Sequence, residues 1–215
     1  MQPEMIPCVE IDTAVIRTIA VGELQTNCYI LAPRGESTAV IVDPGAESER
    51  LKKIVDHLNL DIRAVFLTHG HFDHLGAVES FAVPVFIHAA DRDCLSDSTK
   101  NYSEAFGVSL RVDGQVHAVQ DGDILTPAGL SLRVIHTPGH TRGGICLLGS
   151  SFLLSGDTLF YRGIGRTDLA GGSSAQIVAA IREKLFCLDD AVRVFPGHGP
   201  PTTIGEEKRE NPYLE

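Results

Sequence analysis

No stretch of this 215-residue chain approaches the roughly 18 consecutive apolar residues that a membrane-spanning helix requires. The first twelve residues, MQPEMIPCVEID, carry acids and prolines where a secretory leader would carry basic residues and then an apolar run. Positive charge is scarce: 18 Lys and Arg stand against 28 Asp and Glu, a formal net charge of −10. Such a chain repels phosphate backbones and anionic lipid, so neither nucleic acid nor a membrane is expected as a partner. The five cysteines (Cys8, Cys28, Cys94, Cys146 and Cys187) are scattered, odd in number and without a Cys-x-x-Cys pair. This argues against a disulfide framework and a cysteine zinc cluster, and for a reducing cytoplasm. No low-complexity tract or linker divides the chain, and apolar residues at 43% suffice for a substantial core. A single domain over residues 1–215 is expected.

What the chain has is a repeated pattern of short apolar, β-branched runs ending in turn residues and then an Asp or His. Thr38–Val42 leads to Asp43-Pro44-Gly45, and Ala64–Leu67 leads to Thr68-His69-Gly70-His71. Leu130–Ile135 precedes His136-Thr137-Pro138-Gly139-His140, Phe152–Leu154 precedes Ser155-Gly156-Asp157, and Ala191–Phe195 precedes Pro196-Gly197-His198. Continuous apolar runs read as strands buried on both faces. In layered α/β folds ligands gather at such strand ends. Ile16–Ala20 and Asn27–Leu31 read as an early antiparallel pair, and Asp121-Gly122-Asp123 and Thr126–Gly129 as hairpin turns. Helical spacing predicts Ser48–Leu58, capped by Ser48, and Ser174–Leu185, with a shorter helix from Asp73 or His74 to Phe81. The pattern fits a two-halved α/β sandwich sharing one site; periodicity alone also permits an ordinary doubly wound sheet.

Chemistry concentrates in THGHFDH, Thr68 to His74, where His69, His71, Asp73 and His74 fall within six residues. Crowded imidazoles repel one another when protonated, and a metal ion satisfies them together with the carboxylate. Taken singly, His140 reads more readily as a turn residue, Asp157 as a turn or helix cap, and His198 as a surface-loop residue. Each nevertheless follows an apolar strand, as His69 does. Converging strand ends would supply seven ligands, enough for two divalent metal ions sharing a carboxylate. Imidazole and carboxylate without thiolate suit zinc, iron or manganese.

These motifs resemble the metallo-β-lactamase superfamily, whose signature runs HxHxDH, then a distant His, Asp and His. The longer segments TPGHTRG (Thr137–Gly143), SGDTLF (Ser155–Phe160), GIGRTDLAGG (Gly163–Gly172) and PGHGPPTTIGEEKRENPYL (Pro196–Leu214) resemble its small bacterial glyoxalase II-like hydrolases. The resemblance implies a four-layer αβ/βα sandwich. It assigns His69, His71 and His140 to one metal, Asp73, His74 and His198 to a second, and Asp157 to both. It makes zinc the first expectation, with iron or manganese as alternatives, and places Asp43 behind the histidine loop as a supporting residue.

The implied reaction is hydrolysis of a thioester such as S-lactoylglutathione by a metal-bound hydroxide, with Asp73 handling the proton. The implied partner is a small acyl-thiol; the oligomeric state is not implied. The chain ends about where the C-terminal helical extension of full-length glyoxalase II would begin. In the loop after DTLF, Ile164 stands where that enzyme has a cysteine, Arg166 keeps the basic residue, and Asp168 replaces an aromatic. Arg166 is thus a candidate anion anchor, or else a surface partner of Asp168, and Tyr161 and Arg162 are candidate substrate-loop residues. Rival readings are a mononuclear-iron persulfide dioxygenase and a lactonase or other ester hydrolase of the same superfamily. The remaining histidines, His57, His88, His117 and His136, read as packing or supporting residues.

Overall fold

The computed structural model of the chain describes residues 6–214, so the first five residues of the N-terminal segment read above, and Glu215, lie outside it. The first sheet comprises β1 (Cys8–Ile11), β2 (Ala14–Val21), β3 (Thr26–Pro33), β4 (Thr38–Val42), β5 (Asp61–Phe66), β6 (Val85–His88) and β7 (Val116–Val119), side by side in chain order. Pairing is antiparallel from β1 to β4 and parallel from β4 to β7. The second half contributes β8 (Ile124–Leu125), β9 (Leu132–His136), β10 (Ile145–Leu148), β11 (Phe152–Gly156), a ribbon of β12 (Leu159–Phe160) and β13 (Gly163–Ile164), then β14 (Arg193–Pro196) and β15 (Thr202–Thr203). Its sheet runs β15-β14-β11-β10-β9-β8, and β11 and β14 are parallel.

The strands are apolar at successive positions because both faces of each sheet are covered. In β4, Ala39 and Ile41 face one core, while Val40 and Val42 face another. In β3, Cys28, Ile30 and Ala32 alternate with Tyr29 and Leu31 in the same way. In the second sheet, Ile145 and Leu147 of β10 face the shared central core and Cys146 faces outward to a third. This period of two divides the apolar residues among three cores, and three cores separate four layers. Helix α1 (Ser48–His57) closes the first with Leu51, Ile54 and Val55; the second lies between the sheets; Ile177, Ile181 and Leu185 close the third. The αβ/βα sandwich is therefore the observed architecture.

Local differences from the sequence reading have physical causes. Glu47, not Ser48, precedes α1: it adopts a left-handed backbone, and its carboxylate accepts from the Gly22 N–H at 2.7 Å. The later helix starts as α3 (Ser174–Ala180), with Ser173 Oγ accepting from Gln176 N, and then widens into a π-type turn over Ile181–Leu185. The short helix is α2 (Phe72–Leu75), followed by a separate 3-10 turn at Val78–Ser80. Thr126–Gly129 does join paired strands β8 and β9. Asp121-Gly122-Asp123 does not make a hairpin, because β7 and β8 belong to different sheets and the turn crosses between them. The chain closes with α4 (Ile204–Glu210).

Candidate metal centre

The parallel register of β4 and β5 sets Val42 beside Phe66, so Asp43 emerges next to the histidine loop. Asp43 Oδ1 accepts from the Thr68 N–H at 2.8 Å and Oδ2 from the Thr68 hydroxyl at 2.7 Å. These contacts hold Asp43 at φ 50°, a left-handed conformation that costs a non-glycine residue about 1–3 kcal/mol. Beyond Thr68, His71 is the last extended residue before α2, which carries Asp73 and His74.

His69, His71 and His140 bring three imidazole nitrogens together. His71 Nδ1 lies 3.1 Å from His69 Nε2 and 2.9 Å from His140 Nε2, and the latter two nitrogens are 3.3 Å apart. Burial, reinforced by the neighbouring histidines, keeps His69 neutral and pushes His71 down to about 3. Asp73, His74 and His198 form a second group. Asp73 Oδ2 is 3.5 Å from His74 Nε2 and 3.3 Å from His198 Nε2, and accepts from the Thr26 hydroxyl at 3.1 Å. Asp157 faces both groups: Oδ2 is 3.5 Å from His140 Nε2 and 3.6 Å from His198 Nε2, while Oδ1 is 3.4 Å from His74 Nε2.

The residues fit a pair of cations. His74 Nε2 and Asp157 Oδ1 are buried without a hydrogen-bond partner among the described residues, a costly state unless something else satisfies them. Burial opposes charge on His74, yet the carboxylates of Asp73, Asp43 and Asp157 pull it up to about 10. Burial likewise works against ionised Asp73, but His74 and His198 outweigh it and hold the carboxyl well below its usual range. The cluster thus rejects protons at its imidazole end and attracts positive charge at its carboxylate end. A divalent cation answers both demands. Outer contacts aim the ligand atoms. His140 Nδ1 donates to the Arg166 carbonyl at 2.8 Å, His198 Nδ1 donates to the Leu24 carbonyl at 3.0 Å, and His74 Nδ1 lies 2.9 Å from Asp43 Oδ2. A proton on Nδ1 of His140 and of His198 leaves the Nε2 lone pair of each turned inward.

All seven ligand candidates from the sequence therefore meet at one rim, with Asp43 behind His74. The structure adds Asp91, which the sequence reading did not single out. Buried three residues beyond β6, it accepts from the Gly70 N–H at 3.1 Å, the Thr141 hydroxyl at 2.6 Å and the Gly143 N–H at 2.7 Å. It thereby ties the histidine loop of one sheet to the His140 loop of the other. Its position just past a strand end was the available signal.

The cluster floors a cavity of about 440 Å³ walled by Leu24, Phe72, Phe106, Phe160, Ile164 and Leu169, with Tyr102 and Arg166 at its side. Tyr161 and Arg162 do not line it. The acids of α4 draw Arg162 away: its N–H donates to Glu207 Oε2 at 2.9 Å, its guanidinium pairs with Glu210, and it covers the Tyr161 ring at 5.2 Å. Arg166 does line the cavity, but Asp168 grips its guanidinium through two bonds of 2.7 Å. All five cysteines are free, burial pushes Cys94 up to about 12, and no cysteine is among the residues lining the cavity above the cluster.

A double histidine–carboxylate centre on the shared rim of an αβ/βα sandwich defines a class of metallo-hydrolases. The family model described as Metallo-beta-lactamase superfamily matches residues 21–198, and the chain belongs to that superfamily, whose members bind divalent metal ions. Among curated relatives it is 44% identical to the uncharacterized protein ML0493 of Mycobacterium leprae, over 90% of this chain and 95% of that one. It is 36% identical to hydroxyacylglutathione hydrolase GloC of Haemophilus influenzae, over 93% and 97% respectively. Among solved structures, the BLEG-1 B3 metallo-beta-lactamase superposes with a TM-score of 0.88 at 37% identity, covering 93% of this chain and 99% of that one. TTHA1623, in a di-iron-bound form, superposes with a TM-score of 0.81 at 34% identity, covering 92% and 99%.

Proposed function

We propose that the protein is a cytoplasmic thioester hydrolase acting on an S-acylated small thiol such as S-lactoylglutathione. The observation that carries this reading is the open face of the centre. Asp73, Asp157 and His198 present their inner atoms to an apolar-walled cavity, whereas a structural metal site would be closed on all sides. The 36% identity to a protein named hydroxyacylglutathione hydrolase supports the same substrate class.

His69, His71 and His140 would hold one cation and Asp73, His74 and His198 the other, with Asp157 shared. When bound, two divalent cations acidify water and polarise a carbonyl oxygen. The rest falls to the chain. The apolar walls exclude bulk water and hold the acyl carbon over Asp157. Asp73 engages Thr26, His74 and His198 through Oδ2, leaving Oδ1 to take the proton as a water oxygen bonds to the carbonyl carbon. The carbon–sulfur bond then breaks. A thiolate departs without prior protonation, so no strong general acid is required. The products are the carboxylate and the thiol: the second water proton, left on the new carboxyl group, passes to the thiolate, and the first passes from Asp73 to solvent.

Zinc is the metal proposed first, from the family resemblance; imidazole and carboxylate ligands suit iron as well, and TTHA1623 is described in a di-iron-bound form. The test is to assay zinc- and iron-loaded protein for S-lactoylglutathione hydrolysis and for glutathione-persulfide-dependent oxygen consumption. Thioester turnover without oxygen uptake is the expected result; the reverse would replace the reading with a dioxygenase.

A further inference from the structure

Arg166 is the only cationic side chain among the residues lining the main cavity, and Asp168 neutralises it in a two-bond exposed pair. An anionic substrate therefore gains little from it. Beside this cavity lies a second, of about 330 Å³, and Tyr102 lines both. Tyr102 stands at their shared edge. Tyr102 holds a left-handed backbone at φ 66°, sets its ring edge-on to His71 at 5.3 Å between centroids, and accepts from the Ala170 N–H through its hydroxyl at 2.6 Å. Leu169 faces the first cavity, and Ala170 and Gly171 face the second.

The second cavity contains Arg142, two residues beyond His140. Its side-chain stem lies against Gly171, where φ is +90° and a Cβ would come within 3.2 Å of Arg142 Cγ. The cavity's other cation, Lys100, is paired with Asp93 at 2.9 Å. No carboxylate pairs with the exposed Arg142 guanidinium among the described residues. The uncompensated positive charge next to the metal centre is therefore Arg142.

We propose that this second cavity is an anion subsite, and that Arg142 binds a carboxylate on the thiol arm of the substrate while the acyl group occupies the apolar main cavity. This rests on the thioester reading above. The planar guanidinium fork matches a carboxylate in two parallel hydrogen bonds. The cavity's volume suits an amino-acid-sized arm, as in a peptide thiol, rather than a nucleotide-bearing one.

The test measures binding apart from turnover. Calorimetric titration of the metal-loaded protein with S-methylglutathione, which has no thioester to hydrolyse, should show Kd rising about tenfold or more in Arg142→Ala, the effect of losing a charged hydrogen-bonded contact. Arg142→Lys should fall between, since it keeps the charge and loses the fork, and Arg166→Ala should shift Kd less than twofold. In kinetics, the kcat/KM ratio of a glutathione thioester to an uncharged thioester should drop in Arg142→Ala, through KM. If Arg166→Ala rather than Arg142→Ala weakens S-methylglutathione, or if both thioesters suffer equally, the subsite is overturned. If coenzyme A binds more tightly than S-methylglutathione and depends on Arg142, the carboxylate assignment is overturned. Absence of thioester turnover with Arg142-dependent S-methylglutathione binding would overturn the reaction and leave the subsite standing.

Discussion

Asp157 stands between His140 and His74, with Oδ2 3.5 Å from the Nε2 of the first and Oδ1 3.4 Å from the Nε2 of the second. This places one carboxylate in reach of both metal groups. Without it two cations would face each other with no shared negative charge. Asp157→Ala is expected to lower bound metal from two equivalents to one or fewer, and turnover by more than about a hundredfold, beyond what loss of a supporting residue costs. Elemental analysis and steady-state kinetics on the same sample check this; two retained metals with near-normal turnover would contradict it.

Gly197 guards that geometry. A Cβ at this position would lie 2.1 Å from Asp157 Oδ1 and 2.9 Å from His74 Cε1. Gly197→Ala should therefore push the carboxylate aside and reproduce the metal loss of Asp157→Ala while leaving the far-ultraviolet circular dichroism unchanged. Full metal occupancy in this variant would show that the loop can yield.

Asp91 gives the two halves a common anchor, so its replacement should register in stability. Asp91→Asn turns an amide toward the Thr141 hydroxyl and the Gly70 N–H, both of which now donate to a carboxylate oxygen. The expected cost is about 1–3 kcal/mol per unsatisfied buried group, read as a lower denaturation midpoint with an unchanged slope. An unaltered midpoint would remove Asp91 from the account.

Phe66 tests the central core independently of the metals. It is fully buried between the sheets and stacks on Phe86 with ring centroids 5.0 Å apart. Phe66→Ala is expected to cost about 3–5 kcal/mol, measured on metal-free protein by chemical denaturation. A loss below 1 kcal/mol would mean that the sheets repack freely.

Metal removal should destabilise the wild-type chain. A ligand that binds only the folded state, present at a hundred times its Kd, adds about 2.7 kcal/mol. Chelation should thus lower Tm, and zinc should restore it. Equal Tm values with and without zinc would contradict a folded-state metal site.

The strands were legible because burial on both faces leaves a continuous apolar signal, as in Thr38–Val42, whose predicted limits are those observed. His69, Asp157 and His198 were legible because each follows such a strand. The crossing at Asp121–Asp123 was not, since a turn between sheets and a hairpin turn use the same residues. Asp91 and Tyr102 escaped because their partners, Thr141 and Ala170, lie 50 and 68 residues away, and no local pattern encodes those contacts. The pull of α4 on Arg162 is of the same kind: only the folded chain brings Glu207 and Glu210 beside it.

The most direct measurement is the rate of S-lactoylglutathione hydrolysis as zinc is returned stepwise to chelated protein, with bound metal counted at each step. No turnover without metal, rising to a plateau at two equivalents per chain, is the predicted result. Full turnover in the chelated protein, or saturation at two equivalents with no thioester cleaved, would contradict it.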